Sequence, residues 1–124
     1  MLGFLTDLLR GESQRDPHHH AATFGTHCWL ALGLWGVLAM AIDMWTAAWM
    51  TPLIYLVAWE GLQFALAPAY KRTVKLAFDC LLDAVGVAFG AYAAALLGNG
   101  YQVESIWCWA ASLIAMAVGW RVRA

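Results

Sequence analysis

Long apolar runs, each closed by a short polar cluster, organise this chain. A bilayer core about 30 Å thick needs about 20 mostly apolar residues in a helix, and four stretches reach or approach that length: 24–44, 46–66, 76–98 and 103–120. The first contains the uncharged run 28–42, the second carries Glu60 and Gln63, and the third opens on Asp79 and Asp83. The pattern predicts an all-α membrane protein, a small bundle of four transmembrane helices. Pro68 marks the connection after the second stretch, and Gly98-Asn99-Gly100 the one after the third. Pro52 falls in the first turns of the second stretch, where a missing N–H costs little. Upstream, Leu2, Leu5, Leu8 and Leu9 recur at helical spacing, with Asp7 and Arg10 off the stripe. This predicts a short helix lying in the membrane interface. The organisation is then a cytoplasmic segment 1–23, a membrane domain 24–120 and a basic tail 121–124.

Charge gives the orientation. Arg10 and Arg15 precede the first stretch, Lys71, Arg72 and Lys75 lie between the second and third, and Arg121 and Arg123 follow the fourth. Four spans place all of them on one side, and the opposite turns hold no Lys or Arg. The positive-inside rule then puts both termini in the cytoplasm of a bacterial inner membrane. Trp45, Trp49, Trp107, Trp109 and Trp120 stand near the span ends, as interfacial anchors do.

Composition narrows the class further. The chain is 63% hydrophobic and 12% charged, against about 25% charged in an average soluble domain. With a mean hydropathy of +0.64, this excludes a disordered chain, a disulfide scaffold and an ordinary cytosolic enzyme. A net charge of −1 offers no basic field for nucleic acid. The opening residues lack the basic start and long apolar core of a signal peptide. Cys28, Cys80 and Cys108 form no metal-ligand spacing and read as small buried hydrophobes. His18-His19-His20 reads as a solvated linker, because neighbouring residues on a helix face different ways. A pH-sensitive or lipid-facing segment is the alternative, since unperturbed His titrates near about 6.5. No metal or cofactor is expected from any spacing, and Ser13, Ser105 and Ser112 have no evident His or Asp partner. No catalytic motif is present, so the sequence points away from an enzyme, a membrane hydrolase using Glu60 and Asp83 being the exception left open.

The acids inside the spans need an explanation, since a carboxylate at the centre of a membrane helix costs roughly 2.5–3.5 kcal/mol on insertion scales. Asp79 and Asp83 share one helical face, and Gly86 and Gly90 continue it. The glycines predict close helix packing. At about 1.5 Å per residue, Asp83 lies roughly 10 Å beyond Leu76 and Glu60 roughly 9 Å before Leu66. In a hairpin the two come level, with Gln63 and Asp79 level one turn nearer the cytoplasm. Lys75 or Arg72 is placed to offset part of this charge. Three uses remain open: a proton or cation relay, a pocket for a cationic or hydroxylated ligand, and a hydrogen-bonded cluster that fixes helix register. Asp43 and Glu104 read as solvated end charges.

The segment Glu60-Gly61-Leu62-Gln63, then Pro68, Arg72 and Asp79-x3-Asp83-x2-Gly86-x3-Gly90, resembles the signature of VanZ-like membrane proteins. Asp83 stands where that family usually has Asn, and the loop is a few residues longer. The resemblance covers 60–90 and implies a small protein of about four spans, linked to glycopeptide or lipopeptide resistance. It makes Glu60, Gln63, Arg72, Asp79 and Asp83 the candidate ligand-binding or proton-relay residues. The expected role is an envelope protein binding a lipid-linked or polar ligand at the inner leaflet. A phage holin-type pore and a structural subunit of a membrane complex are the alternatives. The expected partners are membrane lipids, a second copy or another membrane protein, and no nucleic acid.

Overall fold

A computed structural model describes residues 17–124, and every regular element among them is helical. The interfacial helix expected over 1–10 lies outside the described residues. Helix α1 spans Pro17–Ala39. A turn leads to α2, Met44–Ile54, which continues through a π-helical turn, Tyr55–Glu60, into the short α3, Gly61–Leu66. After a 3-10 turn at Ala69–Lys71 come α4, Val74–Gly98, and α5, Gln102–Arg123. Helices α1, α4 and α5 are long and apolar enough to cross a membrane. The stretch 44–66 is helical throughout but built of three pieces, of 11, 6 and 6 residues.

Local chemistry places the turns. Asp43 caps α2, its carboxylate accepting from the backbone N–H groups of Trp45 and Thr46 at 3.1 and 3.0 Å. The Thr46 side chain and backbone, with the Trp45 N–H, hold the Asp43 carboxyl below its ordinary range. Across the same turn the Trp35 indole donates to the Met44 carbonyl. Thr73 caps α4 through the Leu76 N–H. Gly100 ends the turn before α5 at φ 84°, a conformation open to glycine.

Helix α4 is the hub, with α1, α2 and α5 packed around it. Its buried residues are mostly small: Ala84, Gly86, Gly90, Ala91, Ala93, Ala94 and Ala95, with Val87 filling the centre. Small residues let helix backbones approach closely where lipid supplies no hydrophobic drive. A Cβ on Gly90 would lie 2.2 Å from the Cys28 carbonyl oxygen, so α1 and α4 touch backbone to backbone there. Helix α5 is tied to the hub by two side chains one turn apart. Ser105 donates to the Ala93 carbonyl at 2.8 Å, and the Cys108 thiol to that of Phe89 at 3.5 Å. The sequence reading of these two residues missed that role.

Large apolar side chains are turned outward, among them Trp29, Val57, Leu81, Ile106, Trp107 and Ile114. Buried positions include His20, Thr51, Glu60, Asp79, Ser105 and Ser112. Polar inside and apolar outside is the inverse of a soluble domain, and it fits a lipid surround.

Two expectations need correction. The first helix begins at Pro17, so the histidine triplet is helical rather than a linker. His20 is buried where Gly119 makes room for its ring, and His18 stacks edge-on against Trp120. Proline 52 sits in the interior of α2, not in its first turns. It follows Thr51, whose hydroxyl bonds back to the Ala47 carbonyl, and the Tyr55 N–H, three residues on, is shared between the Thr51 and Pro52 carbonyls. A missing donor and a back-bonded Thr both loosen the α register, and the π turn starts at that point.

Candidate functional site

The π turn builds the site. In an α-helix, residues five apart point about 140° away from each other. The wider register, in which the Gly61 N–H reaches the Leu56 carbonyl five residues back, swings Tyr55 and Glu60 toward one face. The Tyr55 hydroxyl donates to Glu60 Oε1 in a very short hydrogen bond. The same hydroxyl oxygen lies 2.9 Å from His27 Nε2 on α1. His27 Nδ1 in turn stands 3.2 Å from Asp83 Oδ1 on α4. Cys80, also on α4, lines the same space beside Glu60. Three helical segments thus converge on one chain of polar groups: Glu60, Tyr55, His27 and Asp83.

Position and access follow from the helix lengths. Glu60 lies six residues before the end of α3, about 9 Å along the axis, and Asp83 lies nine residues into α4, about 14 Å. The cluster is therefore in the half of the bundle that carries Arg72 and Lys75. Glu60 also borders a second space. A cleft of about 450 Å³, open on the outer surface of the bundle, runs between Leu56, Val57, Gly61 and Phe64 on one side and Ala77 and Leu81 on the other. Its walls are almost wholly apolar, and its two polar members, Glu60 and Cys80, are buried. One carboxylate thus links an apolar cleft to the polar cluster behind it.

The residues expected to share a pocket divide. Glu60 and Asp83 meet in the cluster, their ligand atoms and that of His27 all within 4.8 Å of one another. Asp79 is buried one turn away on α4 but is not one of those three. Gln63 is exposed, because no residue of α3 is buried and that end of the rod stands away from the hub. Arg72 serves the backbone instead of the acids, donating to the Ala67 and Ala65 carbonyls at 2.8 and 2.5 Å. Those carbonyls lie at the end of α3, where a helix leaves its acceptors unmet. Gly86 and Gly90 both face α1, Gly86 against Phe24 and His27 and Gly90 against Cys28. His27 and Tyr55 were missed; an imidazole and a phenol deep inside apolar stretches were the available signal.

Fold and site together define the class: an all-helical protein with three candidate membrane-spanning helices and polar groups gathered in its interior. No protein-family model, curated protein or solved structure matches the chain.

Proposed function

We propose that this is a polytopic inner-membrane protein of VanZ-like type, with four spans and both termini cytoplasmic, that binds a lipid-linked or other amphipathic ligand. The observation that carries the reading is the apolar cleft ending on buried Glu60. An acyl or prenyl tail suits the cleft walls, and the polar part of the ligand suits the cluster behind Glu60. The fourth span is 44–66, in which a helix with a π turn keeps nearly every backbone donor bonded, as a membrane requires. The resemblance over 60–90 supports the same role, since Glu60, Asp83, Gly86 and Gly90 of its motif all lie on the interior of the bundle.

Topology is tested by reporter fusions. Those after Gly98 are expected to read periplasmic, and those after Tyr70 or at Ala124 cytoplasmic. A periplasmic signal at Ala124 would overturn the four-span arrangement.

Ligand binding is tested by mass spectrometry of protein purified in mild detergent. Wild type is expected to retain one amphipathic species in stoichiometric amount. Ala77→Phe, which fills the cleft from α4, is expected to release it without loss of helicity. Equal, non-selective lipid carry-over in both would sink the ligand-binding role. Sudden loss of membrane potential on expression would favour a holin-type pore instead.

A further inference from the structure

The proton balance around His27 is unusual. Tyr55 has one hydroxyl proton, and Glu60 accepts it. At 2.9 Å from His27 Nε2 the phenol oxygen is then an acceptor, so Nε2 carries the ring proton. A neutral imidazole so arranged keeps only a lone pair at Nδ1. That nitrogen is buried, makes no hydrogen bond, and stands 3.2 Å from a carboxylate oxygen of Asp83. Two lone pairs facing each other away from water repel, unless a positive centre lies between them; a second ring proton, which makes the contact an ion pair, is one such centre and a bound metal ion is the other.

We propose that His27 Nδ1, Asp83 and Glu60 hold a divalent first-row transition-metal ion. The inference rests on the same site as the proposed ligand binding and gives it an electrophilic centre. Zinc bonds to His nitrogen and carboxylate oxygen measure about 2.0–2.2 Å, which sets neighbouring ligand atoms about 3–4 Å apart. The His27–Asp83 pair already has that spacing, and all three atoms lie within 4.8 Å. One imidazole with two carboxylates suits zinc, iron or manganese better than calcium or copper(I). The Tyr55 hydroxyl holds the far nitrogen of His27, as an outer partner of a metal-bound imidazole does. Three protein ligands leave a fourth position for water or for the polar group of a bound molecule.

The test is metal titration of untagged protein, stripped with chelator in mild detergent and given Co²⁺ or Zn²⁺ alone. Wild type is expected to take up one Co²⁺ per chain, with visible d–d absorption displaced by Zn²⁺. His27→Gln and Asp83→Asn are each expected to weaken uptake by about 100-fold or more, above the range seen for outer partners alone. Glu104→Gln, an exposed acid on α5, is expected to change nothing. A His18→Gln/His19→Gln variant tests the histidine triplet as a competing site. No saturable uptake by wild type overturns the proposal. So does uptake that survives in His27→Gln but is lost in the triplet variant. If His27→Gln fails to keep its helicity, the wild-type stoichiometry and Asp83→Asn decide. Bound lipid is read on the same samples: lipid without metal removes the metal centre alone, and metal without lipid removes the ligand role alone.

Discussion

Gly90→Ala is expected to be the most damaging single-methyl change in the bundle. Its Cβ would lie 2.2 Å from the Cys28 carbonyl oxygen and 2.9 Å from the Ala31 Cβ. Neither neighbour has a torsion that can move it aside, so α1 and α4 must separate. Overpacking typically costs about 1–3 kcal/mol, and a backbone contact across the hub belongs at or above the top of that range. Three other glycines calibrate the effect. At Gly86 the nearest atoms would be 3.4 Å away, so alanine there is expected to be mild. At Gly119 the three atoms nearest the new Cβ all belong to the His20 ring, a side chain with torsions of its own, and an intermediate loss is expected. At Gly36 nothing lies within 4 Å, and alanine should be neutral or gain about 0.5–1 kcal/mol from helix preference. Thermal unfolding in detergent, followed by loss of the monodisperse peak, gives the order directly. A Gly90→Ala protein as stable as Gly36→Ala would mean that α1 and α4 do not touch at Cys28.

What the sequence exposes and what it hides differ by range. Apolar run length and charge placement act locally, so the helical membrane class and the turns at Pro68 and Gly100 are legible from neighbouring residues. The depth of Glu60 and Asp83 is also a local count from one shared turn, and both side chains lie in the cluster. The glycine stripe needs only helical spacing to show that it shares a face with Asp83. His27 is different, because nothing near it in sequence signals that α1 will lay its imidazole between Tyr55 and Asp83. The π turn is hidden for a related reason. Its cause, Thr51 and Pro52 together, is visible, but a proline in a membrane helix has several outcomes. The one adopted here changes the phase of every residue after it. Gln63 is a separate case: three residues after Glu60 it keeps that side of the helix, but the end of α3 stands away from the hub and leaves it exposed. Arg72 was misread on charge alone, because the carbonyls ending a short helix compete for a guanidinium as strongly as distant acids do.

Tyr55→Phe is expected to loosen the site while leaving the shape of the hub intact. Tyr55 is buried, and its ring belongs to the central cluster with Ala31, Ala84, Val87 and Ala91, all of which phenylalanine can still contact. Only the hydroxyl goes, and with it the donor to Glu60 and the acceptor for His27. Hydrogen bonds within membrane bundles average about 0.6 kcal/mol in double-mutant cycles and reach about 1.7 kcal/mol. A buried hydroxyl serving a carboxylate and an imidazole at once belongs near the upper figure, since charged partners strengthen the bond. Glu60→Gln keeps the size of the other partner and weakens the same contact. If one bond is lost in both, the double variant costs less than the sum of the singles, by about 1 kcal/mol or more. Gly36→Ala combined with Tyr55→Phe supplies the additive reference, because Gly36 has no neighbour within 4 Å. Unfolding midpoints of the single and double variants, taken in one detergent, decide the matter. Strict additivity between Tyr55 and Glu60 would mean that the π turn does not bring them together, and the chain of groups from the cleft to His27 would be broken at its first link.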